Sequence, residues 1–213
     1  MPHPSAGIEK FKAVQLVIFD WSGVISDDRK PVYEANCEVM RSYGHEPEDF
    51  ANWLLHTNAS APLYFASRGL TAPHDELLEK YRTALHRARH NGTHPVLYDD
   101  VKTTLAGLAG KQKFVVSMHP TNHLVQEAMD YGIAKYFAGV MGEVKDKSVA
   151  IGDITHGEQT AIYIGDTIFD IQAARKAGVF AAAVPTGYQT KAILADAHPD
   201  VMLDKLSDLL HYL

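Results

Sequence analysis

The sequence predicts a doubly wound α/β fold, with an all-helical segment inserted after the first strand of a parallel sheet. Two observations support this fold class. Short runs that are apolar throughout recur along the chain and alternate with helical patterns, as expected for strands buried on both faces of a parallel sheet. By contrast, the stretch from residue 29 to residue 95 carries helical patterns and no strand-like run.

The predicted strands are short, and most end at a polar or small residue. The clearest runs are VQLVIF (14–19), KFVVS (113–117), YFAGVM (136–141), TAIYIG (160–165) and VFAAAV (179–184), with VMLD (201–204) as a candidate sixth strand. Strands that alternate with helices form βαβ units, in which neighbouring strands run parallel. We therefore expect the carboxyl ends of these strands to meet at one edge of the sheet.

Helices are predicted where apolar residues recur at helical spacing. Between the strands, this spacing favours helices over 100–109, 123–131 and 168–176, and Gly178 suits the C-cap of the last one. Within the inserted segment, the predicted helices cover 32–43, 49–59, 62–68 and 74–89. The last is strongly amphipathic, with its apolar side chains on one face.

These elements predict two domains. We expect an α/β core domain over residues 1–28 and 96–213, and a helical cap domain over residues 29–95. An insert after the first strand would stand beside the carboxyl ends of the strands, where α/β sheets bind their ligands. That is the position of a lid over an active site.

Composition narrows the classes of function. The net charge of −6 arises from 26 acidic and 20 basic residues, and no basic stripe is present to neutralise nucleic-acid phosphates. No segment approaches the roughly 18 apolar residues of a membrane span. The single cysteine, Cys37, cannot form an internal disulfide, which favours a reducing compartment. We expect a cytoplasmic protein that binds neither nucleic acid nor membrane; the sequence does not distinguish a monomer from a homodimer.

Polar residues that carry chemistry follow four of the predicted strands. They are Asp20, Ser117, the pair Asp166 and Asp170, and the lysines Lys145 and Lys147. Three neighbouring carboxylates repel each other unless a cation lies among them, and oxygen ligands favour a hard ion such as Mg²⁺. A carboxylate beside a metal and a lysine is suited to phosphoryl transfer through an aspartyl-phosphate.

The order of these motifs resembles the haloacid dehalogenase-like (HAD) superfamily. VIFDWSGV is similar to its first motif, FVVS to the second, KDK supplies the lysine of the third, and IGDTIFD matches the fourth. The following ARKAGVFAAAVPTGY and the helical insert resemble the phosphoglycolate-phosphatase-like and phosphonatase-like branch with a type-1 cap. The resemblance covers nearly the whole chain and implies a Rossmann-like core with a helical cap.

The resemblance also implies a role for each site residue. Asp20 would be the nucleophile and a Mg²⁺ ligand, with the backbone carbonyl of Ser22 and the carboxylate of Asp166 as further ligands. Ser117 would hydrogen-bond the transferring phosphoryl group. Lys147 would pair with the nucleophile and the phosphate, because the step from Lys147 to Ile151 fits the family pattern better than Lys145, which remains the alternative.

Two residues of the pattern need separate comment. Asp170 would lie behind the metal ligands or orient the lysine. Ser22 stands where most phosphatases of the family carry an acid that protonates the leaving group and activates water. General acid–base catalysis contributes about 10²–10⁴-fold, so Ser22 predicts a slow phosphatase on alkyl phosphates, or chemistry that needs no acid. His119, two residues after Ser117, is a candidate substitute for proton transfer.

The leading hypothesis is a Mg²⁺-dependent hydrolase that acts on a small phosphorylated metabolite. One alternative is a catalytically degenerate relative that binds a ligand without turning it over. A phosphonatase-like activity is suggested by the similarity of DWSGV to DWAGT, but that chemistry needs a cap lysine, and the chain has none between Lys30 and Lys80. Dehalogenase-like chemistry does not use Mg²⁺, and the two acids of GDTIFD argue against it.

Overall fold

The computed structural model describes residues 9–57, 60–91, 93–156 and 160–213. The chain divides into two compact units. The first combines Met1–Ile25 with Leu97–Leu213, and the second is Ser26–Val96. The sequence-based prediction drew these divisions after residue 28 and before residue 96.

The first unit is built on a six-stranded parallel sheet. In the described residues the strands are β1 (Leu16–Phe19), β2 (Ser26–Asp27), β3 (Val96–Leu97), β4 (Gln112–Val116), β5 (Gly139–Met141), β6 (Ala161–Gly165), β7 (Phe180–Ala183) and β8 (Val201–Met202). The large sheet has the order β5-β4-β1-β6-β7-β8, and β2 and β3 form a separate two-stranded sheet. Each strand of the large sheet runs parallel to its neighbours, which confirms the predicted doubly wound α/β class.

Helices connect these strands and build the second unit. Those of the second unit are α1 (Arg29–Ser42), α2 (Phe50–His56), α3 (Ala61–Ser67) and α4 (His74–Asn91). Those of the first unit are α5 (Val101–Gly107), α6 (Thr121–Asp130), α7 (Lys147–Thr155), α8 (Ile168–Lys176) and α9 (Lys191–Asp196), with 3₁₀ turns at Glu9–Phe11, Ala134–Tyr136 and Leu206–His211. Across the described ranges, no helix combines the length and apolar character that a membrane span requires.

The strands are apolar throughout because both faces of the sheet are buried. In β1, Val17 and Phe19 belong to the hydrophobic cluster on one face, whereas Ile18 belongs to the cluster on the other. In β6, Ile162 likewise lies in the first cluster and Tyr163 in the second. Side chains that alternate between two buried faces leave no polar positions along the strand.

The second unit has its own packed interior. Helices α1 and α4 are its most extensively contacting pair, and the aromatic rings of Tyr33, Phe50 and Trp53 pack at centroid distances of 5.2–5.6 Å. Asp28, fully buried before α1, lies 3.4 Å from the guanidinium of Arg89 near the end of α4. This ion pair connects the start of α1 to the end of α4 within the second unit.

Some predicted boundaries are wrong. The run 136–141 was predicted as one strand, but Tyr136 closes a 3₁₀ turn by donating its N–H to the carbonyl of Ile133, and the strand starts only at Gly139. The helix predicted over 49–59 is observed as Phe50–His56; residues 58 and 59 lie outside the described residues. The short helix α9 was not predicted.

Candidate active site

The candidate site lies at the carboxyl ends of three adjacent strands. Asp20 follows β1, Ser117 follows β4 and Asp166 follows β6. Because β1 lies between β4 and β6 in the sheet, these three residues come side by side. The N–H of Asp20 donates to the carbonyl of Ile164 at 2.9 Å, which fixes the start of the Asp20 loop against β6.

Three carboxylates converge at these strand ends. Asp20, Asp166 and Asp170 each offer one oxygen such that all three oxygens lie within 4.8 Å of one another. All three residues are buried. Desolvation and mutual repulsion therefore act on the same small group of charges.

One cation of the chain enters this cluster. The Nζ of Lys147 lies 2.7 Å from Oδ2 of Asp20 and 2.7 Å from Oδ1 of Asp170, and its side chain is only 14% exposed. Lys147 is the first residue of α7, and the Asp146 side chain caps that helix by accepting the N–H of Ser148. Lys145 is exposed, and within the described part of the chain it forms no ion pair. The geometry thus brings Lys147, not Lys145, to Asp20.

Both carboxylate oxygens of Asp170 accept hydrogen bonds from groups of the protein. Oδ1 accepts hydrogen bonds from Lys147 and from the hydroxyl of Tyr163 at 3.2 Å. Oδ2 accepts from the backbone N–H and the hydroxyl of Thr167, at 3.1 and 2.5 Å. Both oxygens therefore already have two donors each, so Asp170 is placed to hold Lys147 and the start of α8 rather than to bind a metal.

Among the described groups of the chain, the Asp166 carboxylate has fewer hydrogen-bond donors around it than that of Asp170. Its Oδ2 accepts the backbone N–H of Tyr188 at 2.7 Å, and two glycines pack against this oxygen. A Cβ atom at Gly23 would lie 2.3 Å from Oδ2, and one at Gly187 would lie 1.9 Å away. Among the side chains that the structure describes, no lysine, arginine or histidine forms an ion pair with Asp166.

Electrostatics follow from this arrangement. Burial raises the pKa of Asp20 to about 6, although Lys147 opposes the rise. Burial also raises the pKa of Asp166 well above its ordinary value, and the charges of Asp170 and Asp20 add to that rise. Burial alone would lower the pKa of Lys147, but Asp170 and Asp20 outweigh it and raise the pKa above its usual range. One lysine does not balance three acids, so the cluster favours a further cation.

The donor set suits Mg²⁺. The oxygens of Asp20 and Asp166 converge, while nitrogen and sulfur ligands are missing from the group of potential metal ligands found among the described residues. A hard ion with few carboxylate ligands fits such a site. Ser22 lies two residues after Asp20 in the same loop, and the next residue, Gly23, packs against Oδ2 of Asp166.

Ser117 and His119 lie on the β4 side. Ser117 is buried, its N–H donates to the carbonyl of Met141, and its Oγ lies 3.4 Å from the N–H of His119. His119 is half-buried, and its carbonyl accepts the N–H of Glu143.

Comparison with known proteins decides the family. The family model described as haloacid dehalogenase-like hydrolase matches residues 17–184, most of the chain. The chain is a haloacid dehalogenase-like hydrolase. The predicted family membership and the prediction of a hydrolase are therefore confirmed.

Curated relatives and solved structures extend along almost the whole chain. This haloacid dehalogenase-like hydrolase is 28% identical to a phosphoglycolate phosphatase of Aliivibrio fischeri, over 94% of this chain and 96% of the relative. It is 27% identical to the pyrophosphatase PpaX of Bacillus velezensis, with the same coverages. A haloacid dehalogenase-like hydrolase of Streptococcus pneumoniae has a TM-score of 0.84 at 21% identity, covering 94% of this chain and 99% of that one, which supports the fold.

Sequence reasoning missed one part of the site of this haloacid dehalogenase-like hydrolase. The loop 185–190 after β7 brings the backbone of Gly187 and Tyr188 onto Asp166, and its Thr186 hydroxyl donates to the carbonyl of Gly23 at 2.6 Å. The signal was present, because PTGYQT follows a buried strand of the same parallel sheet. The rule that singled out Asp20, Ser117 and Asp166 applies equally to this strand end.

A second missed contact supports the loop that carries Asp20. The indole N–H of the fully buried Trp21 donates to Glu127 on α6 at 2.7 Å, and the backbone N–H of Trp21 donates to Oδ1 of Asp20 at 2.7 Å. Trp21 therefore connects Asp20 to α6, the helix that follows Ser117.

Proposed function

We propose that this haloacid dehalogenase-like hydrolase is a Mg²⁺-dependent phosphatase that acts on a small phosphorylated metabolite. The observation that carries the proposal is the pairing of a buried Asp20 with Lys147, beside an Asp166 carboxylate that forms no ion pair among the described side chains. The names of the relatives, phosphoglycolate phosphatase and pyrophosphatase, agree with phosphate chemistry.

In the proposed reaction, Asp20 attacks. A carboxylate oxygen of Asp20 forms a bond to phosphorus, the bond from phosphorus to the ester oxygen breaks, and that oxygen leaves with the bonding pair and takes up a proton. Water then attacks the phosphorus of the aspartyl-phosphate and gives up a proton to solvent, while the bond from phosphorus to the Asp20 oxygen breaks. This step releases inorganic phosphate and restores the Asp20 carboxylate. Covalent catalysis of this kind divides one difficult step into two easier ones.

Lys147 and Ser117 have separate tasks in this proposal. Lys147, held by Asp170 at 2.7 Å, meets the negative charge of the phosphoryl oxygens and orients Asp20. Ser117 hydrogen-bonds the phosphoryl group from the β4 side. Asp20, Asp166 and the backbone carbonyl of Ser22 would hold Mg²⁺, which neutralises charge that develops during phosphoryl transfer.

The residues 29–95 would act as a cap that selects the substrate and excludes water. The single cysteine, buried as a free thiol, fits the proposed cytoplasmic location.

Ser22 favours a second candidate, a relative that binds a phosphorylated ligand without turning it over. A serine hydroxyl has no useful acidity near neutral pH, so the proton transfer that an acid would supply there is absent. The proposed phosphatase is therefore slow on alkyl phosphates. His119 remains a candidate for part of this role, and an unchanged turnover and pH profile of His119→Ala would remove it.

Phosphatase assays with Mg²⁺ separate the two candidates. We expect wild-type protein to hydrolyse at least one ester in a panel of small phosphates, Asp20→Asn to abolish that activity, and Ser22→Asp to raise turnover. If none of the three proteins hydrolyses any phosphate ester, while wild type binds phosphate in a Mg²⁺-dependent way, the binding function is favoured.

A further inference from the structure

The hydroxyl groups of Ser22 and Tyr188 lie together, on two loops whose backbone contacts the Asp166 carboxylate. Oγ of Ser22 is 3.5 Å from the phenolic oxygen of Tyr188, and both residues are half-buried. The backbone next to each of these two residues contacts the same oxygen, Oδ2 of Asp166. Tyr188 donates its N–H to Oδ2 of Asp166, and Gly23, next to Ser22, packs directly against Oδ2. Main-chain contacts therefore hold the two loops that carry these hydroxyls against Asp166.

The loop that carries Tyr188 is anchored without its hydroxyl. The Thr186 hydroxyl donates to the carbonyl of Gly23 at 2.6 Å, and the Tyr98 hydroxyl donates to the carbonyl of Thr186 at 2.7 Å. Further along, the side chain of Gln189 accepts the N–H of Ile168 at 2.7 Å. Removing the Tyr188 hydroxyl alone leaves all of these contacts, and its own backbone bond to Asp166, in place.

Charge divides the site into two chemically different parts. Lys147 and the carboxylates Asp20 and Asp166 form the charged part, whereas Ser22 and Tyr188 contribute neutral hydroxyls. In a phosphate monoester, the non-bridging oxygens carry the negative charge and suit a lysine and a metal ion. The ester oxygen is uncharged before the reaction, so a neutral hydroxyl is its natural hydrogen-bonding partner.

We propose that the hydroxyls of Ser22 and Tyr188 form a pair that contacts the leaving-group oxygen of the phosphate ester, which makes Tyr188 a substrate-contacting residue. The inference rests on the phosphatase function proposed above. As the bond from phosphorus to the ester oxygen breaks, that oxygen gains negative charge, and a hydrogen bond to it strengthens. Stabilisation of this kind acts in the transition state and raises kcat.

The dependence on the leaving group tests the pair. Wild type and Tyr188→Phe are compared with Mg²⁺ on phosphoglycolate and glycerol 3-phosphate, which are alkyl phosphates, and on p-nitrophenyl phosphate. Losing one hydrogen bond to a leaving oxygen that carries partial charge lowers the rate about tenfold, between the effects for neutral and for charged partners. We expect that loss in kcat for the alkyl phosphates, with KM nearly unchanged. For p-nitrophenyl phosphate we expect less than about a twofold loss, because its leaving group spreads the developing charge over the ring.

Two further variants make the test specific. Tyr98→Phe removes a hydroxyl that supports the same loop from another side, so any loss it causes should be the same factor for alkyl and aryl phosphates. In Ser22→Ala/Tyr188→Phe, the loss on alkyl phosphates should be clearly smaller than the product of the two single losses, because the hydroxyls act as a pair.

The possible outcomes test the role of Tyr188 separately from the proposed phosphatase function. Wild-type turnover that Tyr188→Phe leaves unchanged, or lowers equally for alkyl and aryl phosphates, overturns the role of Tyr188 and leaves the phosphatase proposal intact. If wild type shows no Mg²⁺-dependent hydrolysis of any ester, both the phosphatase proposal and this inference fail. A selective loss on alkyl phosphates supports both.

Discussion

Replacing Lys147 by methionine should destabilise the protein strongly. The Lys147 side chain is 14% exposed, and its Nζ lies 2.7 Å from both Asp20 and Asp170. Methionine keeps an unbranched side chain but leaves two buried carboxylates without their shared cation. Removing one partner of a buried ion pair costs about 3–5 kcal/mol, and we expect the free energy of unfolding of the metal-free protein to fall by that amount.

Urea denaturation followed by circular dichroism measures this change. With a denaturant dependence of about 2 kcal/mol per molar urea, the midpoint should fall by roughly 1.5–2.5 M. Lys145→Met is the matched control, since Lys145 is two residues away, exposed, and forms no ion pair in the described part of the chain. Its effect should stay within about 0.5 kcal/mol.

Two results would refute this reasoning. One is a Lys147→Met variant that unfolds within about 0.5 kcal/mol of wild type, which would mean that the lysine does not pair with the buried acids. The other is a larger loss for Lys145→Met, which would place the alternative lysine in the site.

Three other predictions concern the carboxylates and their surroundings. Because burial raises the pKa of Asp166 well above its ordinary value, Asp166→Asn should raise the Tm of the metal-free protein. It should also abolish the rise in Tm that we expect Mg²⁺ to produce in wild type, and differential scanning fluorimetry measures both effects. Asp20 has a folded pKa of about 6 against an ordinary 3.8, so the folded state holds more protons in this window. Its contribution makes metal-free stability fall by about 1 kcal/mol per pH unit between these values; urea titrations at several pH values should show a flatter curve for Asp20→Asn, and an unchanged curve would contradict the assignment. Gly187→Ala would place a Cβ 1.9 Å from the Asp166 carboxylate and should lower Mg²⁺-dependent activity at least about tenfold, whereas Gly152→Ala, on a helix with open space around it, should leave activity unchanged.

The fold was predictable because burial on both faces leaves a plain sequence signal. Val17, Ile18 and Phe19 form an uninterrupted apolar run since their side chains fill two separate clusters. The run at 136–141 gave the same signal for a different reason. Tyr136 and Phe137 pack against the core from a 3₁₀ turn and its exit, and apolar content alone does not separate that turn from a strand.

The sequence was enough to predict which strand ends form the site. It was not enough to predict the hydrogen bonds and ion pairs among the site residues. The sequence placed Asp20, Ser117 and Asp166 at one edge because parallel strands end together. The choice between Lys145 and Lys147 depends on which residue begins α7, and therefore on the Asp146 cap. Such local geometry is set by single hydrogen bonds, which have no periodic signature in the sequence.

Hydrogen-bond partners that are distant in sequence could not be predicted either. Asp170 is satisfied by Tyr163 and Thr167 as well as by Lys147, which gives it a supporting position that the motif GDTIFD alone does not specify. Tyr188 reaches Ser22 across 166 residues of sequence. Contacts of this kind arise from the packing of loops at the sheet edge, after the strand order is fixed.

Trapping the covalent intermediate tests the central claim most directly. Wild-type protein is mixed with Mg²⁺ and an ester that it hydrolyses, quenched in acid within one turnover, and digested for mass spectrometry. We predict one added phosphoryl group on the peptide that contains Asp20, accumulating because Ser22 supplies no acid–base catalysis for its hydrolysis, and no such group in Asp20→Asn. A phosphoryl group on another residue, or turnover that persists in Asp20→Asn, would contradict the account.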